Sequence, residues 1–171
     1  KTAYEISLGL VGSEMCIRDS LVIIMRIEKN PNVWGPPLWD ILHFLTFKYN
    51  SKEDKELYLK LFSEYVLTLI PCPPCERHYE RRLVKIPIDL RSREKLSRWL
   101  VNLHNDVNKE LKKPTMSYEK VVERYRKNES NRKRIMKSFI TYNNISRGYV
   151  TANSQVQKAN SNLIRIVMKH L

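Results

Sequence analysis

The chain has 171 residues, long enough for one domain with extensions and too short for two full cores. Its 31 Lys and Arg against 18 Asp and Glu give a net charge of +13, which admits anionic partners, while three cysteines exclude a secreted disulfide scaffold. The longest apolar run, Leu21 to Met25, is far below the ~20 residues of a transmembrane helix, and no cleavable secretory signal is evident.

In chain order, "LGLVGSEMCIRDS" within residues 1–24 resembles a read-through linker, and Met25 followed by "RIEKNPNVWG" reads as a start. Residues 1–24, with Cys16, are therefore expected to be non-native. "NPNVWGPP" reads as a loop, because a glycine and three prolines oppose regular structure. A helix is expected from about Leu38 to Tyr49, with Trp39, Leu42, His43, Leu45, Thr46 and Tyr49 near one face. A second is expected to start on Ser51 as N-cap, with Asp54 three residues on. It carries the stripe Leu57, Leu61, Phe62, Tyr65 and Leu69, and Pro71 ends it. "CPPCERHYERRL" begins a third, since proline is tolerated in a first turn. Ser92 caps the longest helix, through Lys95, Leu96, Trp99, Leu100, Leu103 and Val107 to near "KKP", and residues 117–127 form a short fifth. No stretch alternates with a period of two, so the expected class is all-α, a small helical bundle.

Charge divides the chain into three. Residues 1–24 carry a net −1, residues 25–128 carry +7, and residues 129–171 carry +7 from eight bases and a single acid. The expected divisions are a linker-derived segment (1–24), the main domain (25–128) and a basic, partly helical C-terminal extension (129–171). In that extension "NRKRIMKSFI" and "SNLIRIVMKH" read as amphipathic helices, with the polar stretch "TYNNISRGYVTANSQ" between them.

The chemistry is concentrated in "LIPCPPCERHYERR", where Cys72 and Cys75 stand three apart at the start of a helix. A helix N-terminus stabilises a thiolate, the spacing allows a disulfide, and Pro73 and Pro74 restrict the backbone between the sulfurs. Zinc would need a fourth ligand beside Cys72, Cys75 and His78, and no second CxxC or HxxxH supplies one, so no metal is expected. A thioredoxin-like motif would need a preceding strand, and the preceding stripe has helical spacing. Two ordinary buried cysteines remain an alternative. Elsewhere Trp39 pairs with His43, and His104 with Asn108, each at i, i+4, with Trp99 and Asn105 nearby. Rings with polar neighbours on two helices suit a planar, hydrogen-bonding ligand.

The segments "WGPPLWDILH", "PCPPC" and "WLVNLHNDVN…KKP", in this order, resemble the signatures of the Erv/ALR family of FAD-dependent sulfhydryl oxidases, over roughly Trp34 to Tyr125. The resemblance implies a four-helix bundle with a short fifth helix and FAD at one end. It implies that Cys75 lies against the flavin ring and that Cys72 exchanges with substrate. Trp39, His43 and Tyr49 match first-helix flavin contacts. His104, Asn105, Val107, Asn108 and Lys113 match the segment around the adenine, ribose and phosphates. Gly35 and Trp99 match lining or structural positions, and Tyr125 stands where many members carry Trp. The second disulfide of many members falls here on Val84 and Val101, which are expected to face each other instead.

The reaction so implied oxidises dithiols to disulfides, passes electrons through Cys72 and Cys75 to FAD, and reduces oxygen to hydrogen peroxide. The implied electron donor is a thioredoxin-like or other CxxC dithiol protein, and a homodimer is implied. With no second cysteine pair, the chain resembles the compact enzymes of large DNA viruses, which implies the host cytoplasm or virion and no membrane. The competing reading is a non-catalytic helical adaptor whose basic tail binds nucleic acid or an anionic partner. Nucleic acid is disfavoured because no aromatic stacking pattern accompanies "NRKRIMK".

Overall fold

The computed structural model describes residues 30–126, 129–151 and 153–171. The linker-like segment 1–24 and the start at Met25 lie outside the described residues. Helix α1 spans Pro31–Thr46, α2 spans Lys55–Lys60, and a π-helical turn over Leu61–Tyr65 leads into α3, Val66–Leu69. Then follow α4 (Pro73–Lys85), α5 (Arg93–Glu110) and α6 (Tyr118–Tyr125). Helices α7 (Glu129–Thr151) and α8 (Ser154–His170) complete the chain. No strand occurs among the described residues. With α2, the π-turn and α3 as one rod, the first six helices make the expected bundle with a short fifth helix.

Capping sets most of the boundaries. Ser92 accepts from Lys95 N at 3.1 Å and Ser117 from Lys120 N at 3.4 Å, so α5 and α6 start where the sequence indicates. Three expectations need correction. "NPNVWGPP" is not a loop, because α1 begins at Pro31 on an Asn30 N-cap and carries Pro36 and Pro37 inside it. The two prolines remove donors near the helix start, while Trp34 and Leu38 are buried, so packing overrides the local cost. The second helix starts at Lys55 with Asp54 at its N-cap, not at Ser51, and the Asp54 carboxylate accepts from Asn50 N. The polar stretch from Thr141 to Thr151 is helical and continues α7.

Buried tyrosines tie the rods together, each donating its hydroxyl to a carbonyl: Tyr49 to Leu90 at 2.8 Å, Tyr58 to Leu45 at 3.0 Å and Tyr79 to Phe62 at 2.8 Å. Helix α7 packs along α1, and α8 packs on the π-turn and α3. Ile135, Tyr142, Val156, Leu163, Ile166 and Val167 join the same core as α1 to α5. Tyr142 donates to Leu69 O at 2.7 Å, which fastens α7 to the end of α3. At the C-terminus Lys169 pairs with Asp54 at 3.1 Å. No helix of the described residues is long and apolar enough to cross a membrane.

Candidate functional site

Cys72 is the N-cap of α4, with Pro73 and Pro74 in its first turn. The prolines cost nothing there, because the first amides of a helix lack intrahelical partners. Cys72 and Cys75 form a disulfide with Cα atoms 5.2 Å apart, and Cys75 N donates to Cys72 Sγ at 3.4 Å. Both sulfurs therefore sit at the positive end of the helix dipole. Both residues are partly exposed, and Cys75, but not Cys72, lines an aromatic cavity of the bundle.

That cavity encloses about 530 Å³. From α1 it takes Trp34, Gly35, Trp39, Asp40 and His43; from α4, Cys75, His78, Tyr79 and Arg82; from α5 and its end, His104, Val107, Asn108 and Lys113; and from α6, Arg124 and Tyr125. The residues meet here because α1 lies against both α5 and α6. Trp39 stacks on His104 with centroids 4.0 Å apart and planes 7° from parallel. His43 Nε2 lies 3.0 Å from His104 Nδ1, one nitrogen donating and the other accepting, and Tyr125 stacks over His43 at 5.6 Å. Burial chiefly, then the neighbouring His104, pushes His43 down to about 3; Arg124 pushes the same way and Asp40 partly opposes. Burial and then Lys113 push His104 down to about 4. Burial therefore keeps both imidazoles neutral near pH 7, and their mutual hydrogen bond needs at least the accepting ring neutral.

Of the twelve residues that the family resemblance assigns to the cofactor, nine line this cavity: Gly35, Trp39, His43, Cys75, His104, Val107, Asn108, Lys113 and Tyr125. Three do not. Tyr49 is buried under Leu90 and Tyr58. Trp99 donates to Ile86 O at 2.9 Å and meets Phe62 edge-on. Asn105 donates to Met116 O and accepts from Met116 N, which braces the segment after α5. Asn108 does similar work while lining the cavity, donating to Pro114 O at 3.1 Å. Lys113 Nζ donates to Asn32 Oδ1 at 2.7 Å, joining the end of α5 to the start of α1.

Val84 and Val101 do not face each other. Val101 is buried, but Val84 is 84 % exposed. The α4 face that carries Val84 points to water. Helix α4 is instead fastened to α5 by ions: Arg82, 7 % exposed, binds Asp106 at 2.9 Å and also Glu110, while Glu110 accepts from His78 at 2.7 Å. Asp40, Arg82 and Arg124 escape sequence reasoning. Asp40 left a signal, since it is the only charged side chain in the sixteen residues of α1.

Fold and site together define a class: an all-helical redox protein holding one cysteine of a disulfide against an aromatic cavity. A family model described as Erv1 / Alr matches residues 36–126, and the chain belongs to that family. It is 30% identical over 101 residues to a putative FAD-linked sulfhydryl oxidase of invertebrate iridescent virus 3, covering 57% of this chain and 68% of that protein. It is 33% identical over 100 residues to a probable FAD-linked sulfhydryl oxidase of Acanthamoeba polyphaga mimivirus, covering 55% of this chain and 69% of the relative. A crystal structure of a cysteine-to-serine double mutant of Erv1 from Saccharomyces cerevisiae is 26% identical with a TM-score of 0.49, covering 57% of this chain and 84% of that one.

Proposed function

We propose that this chain is an FAD-linked thiol oxidase that makes disulfide bonds, taking electrons from substrate dithiols through Cys72 and Cys75 to FAD and then to oxygen, with hydrogen peroxide as product. The observation that carries this reading is a disulfide with Cys75 on the wall of an aromatic cavity and Cys72 off it. The adaptor reading gives that arrangement no use.

The residues present fit the cofactor. A cavity of about 530 Å³ is in the ~300–1,000 Å³ range of cofactor and ligand sites. A Cβ on Gly35, which lines it, would meet nothing within 4 Å, so a side chain there would take up cofactor space. Trp34 Nε1 and His43 Nδ1 are buried without partners, and both residues belong to the lining. On this reading Trp39, His43, His104, Val107, Asn108, Lys113, Gly35 and Tyr125 hold FAD, while Tyr49, Trp99 and Asn105 support them from behind.

The thiol steps follow from the cysteines. A substrate thiolate attacks Cys72 Sγ, the Cys72–Cys75 bond breaks, and its electron pair leaves on Cys75. Cys75 is the third residue of α4, where unpaired amides and the helix dipole stabilise a thiolate. A second substrate thiolate then attacks its own partner sulfur in the mixed disulfide, and Cys72 departs as thiolate and takes up a proton. The pair now holds two electrons. FAD, when bound, supplies the two-electron acceptor that passes them to oxygen.

The visible spectrum of the purified protein tests the reading, together with oxygen uptake on adding dithiothreitol. Flavin bands and peroxide formation are expected. A folded, colourless protein that takes up no added FAD would overturn it.

Finer assignments belong to the same proposal. The oxidase unit is residues 25–128, with 129–171 added to it. The electron donor is a thioredoxin-like or other CxxC protein, because the described residues hold no second cysteine pair to relay electrons from bulky clients. The compartment is the host cytoplasm or the virion, as befits a chain similar to viral proteins. A homodimer would have to form outside the faces of α1 and α3 that α7 and α8 cover.

A further inference from the structure

Asp40 is 7 % exposed, and its carboxylate is shared between two elements. Oδ1 accepts from Tyr125 Oη at 2.6 Å and from Arg124 Nη2 at 3.4 Å, both on α6. Oδ2 accepts from Ser138 Oγ at 2.7 Å and lies 3.4 Å from Arg134 Nε, both on α7. Burial alone would raise this carboxyl, but hydrogen bonds from Tyr125 and Ser138 and the charges of Arg134 and Arg124 outweigh it and hold it below its ordinary value. It is therefore an anion in a site that tolerates one only while its oxygens are engaged.

We propose that α7 is a positioning element of the cofactor cavity, in which Ser138 and Arg134 orient the Asp40 carboxylate so that its other oxygen pins Tyr125 over His43. The inference rests on the oxidase reading and extends it to a helix outside the family-matched residues 36–126. A carboxylate is rigid and planar, so fixing Oδ2 from α7 fixes where Oδ1 points. With Oδ2 unengaged, the buried anion turns toward a remaining donor and Tyr125 loses its register. Arg134 adds a second hold, with its guanidinium 4.9 Å from the Tyr125 ring centre and its Nη atoms donating to Arg124 O at 3.4 and 3.5 Å. From Tyr125 the chain of contacts runs to His43, His104 and Trp39, all on the cavity wall. Helix α6, only eight residues long, is thus clamped from outside by α7. Arg134, one of the basic residues of this segment, is then an internal counter-charge for a buried acid.

The test uses the full chain with Ser138→Ala, Tyr125→Phe and the double variant, and reads the FAD dissociation constant of apoprotein and the NMR shift of the His43 ring protons without FAD. Ser138→Ala is expected to weaken FAD binding about fivefold and to move the His43 resonance, since one charge-assisted hydrogen bond is lost. Ser138→Thr, which keeps the hydroxyl, should restore both. In the Tyr125→Phe background Ser138→Ala should add nothing, because the link is already cut, whereas a merely structural role would add its full effect. If Ser138→Ala does not fold, Arg134→Gln makes the same comparison from the other α7 side chain at Oδ2. A wild-type chain that ignores FAD while its His43 resonance responds to Ser138→Ala would sink the oxidase reading and support the coupling of α7 to Tyr125. Unchanged His43 resonances and FAD affinity in Ser138→Ala, or additive effects in the double variant, would overturn the proposal.

Discussion

Cys72 and Cys75 stand three residues apart on one helix, yet only Cys75 reaches the cavity wall. The two serine variants should therefore differ. Both should lose dithiol oxidation, but Cys72→Ser leaves Cys75 as a free thiol at the third position of α4, beside the cofactor. It should show a long-wavelength absorbance band with FAD bound, and its thiol should ionise below the ~8.5 of ordinary cysteine. Finding the band in Cys75→Ser and not in Cys72→Ser would reverse the two roles. The histidines give a pH prediction for the FAD-free protein. The unfolded chain takes up their protons near pH 6.5, the folded chain only near 3 for His43 and 4 for His104. The unfolded state thus binds more protons below 6.5, so their contribution is complete above that pH and falls as pH drops, by up to ~1.4 kcal/mol per unit for each ring. The melting temperature should decline from pH 6.5 to 5, before most carboxylates titrate, and His104→Gln should flatten the decline. A wild-type melting temperature flat over that window would contradict the buried neutral pair.

At the scale of elements, α4 is held by its polar edge and not by a packed valine pair. Val84 is 84 % exposed while Val101 is 3 % exposed, so identical truncations should have unequal effects. Val84→Ala should change stability by less than ~0.5 kcal/mol, and Val101→Ala should cost about 1–3 kcal/mol from lost burial and the cavity left behind. Urea denaturation of both variants measures the difference, and equal costs would mean that α4 packs differently. Much of the element pattern was legible. Ser92 announced α5 and the proline pair announced α4, because a cap or a first-turn proline acts through its own neighbours. The start of α1 was not legible, since Gly35 and three prolines argue locally for a loop while the burial of Trp34 and Leu38 acts from outside the segment. The middle of α7 was hidden by composition. Its polar residues are satisfied within the helix pair: Ser146 donates to Tyr142 O, Asn143 to Phe139 O, and Asn160 to Asn143 Oδ1. The buried Tyr142 and Ser146 therefore lie inside a stretch that reads as a polar connector.

Across the whole molecule, α7 and α8 complete the core. Ile135, Tyr142, Val156, Leu163, Ile166 and Val167 are each at most 2 % exposed, and a fully buried side chain of this kind is worth ~1.5–3 kcal/mol. Their sum is comparable with the ~5–15 kcal/mol of net stability that a domain possesses. A chain ending at residue 128 should therefore lack a cooperative thermal transition as a monomer. Circular dichroism with light scattering tests this, and a monomeric fragment melting at the full-length temperature would show that the last two helices are dispensable.

The amino-acid sequence by itself determined the helical class, the cysteine pair at a helix start and the aromatic and histidine pairs on two helices, because each depends on spacing within a few turns. It also carried the family resemblance that the match over residues 36–126 bears out. Tertiary structure decided what no local pattern encodes. It put Cys75 on the cavity wall and Cys72 off it, left Val84 in water, and brought Ser138 within 2.7 Å of Asp40 from ninety-eight residues away. The physical reason is the range of the forces. Caps, prolines and periodicity act between neighbours in sequence, whereas a buried carboxylate is satisfied by whichever donors the packing of distant helices delivers.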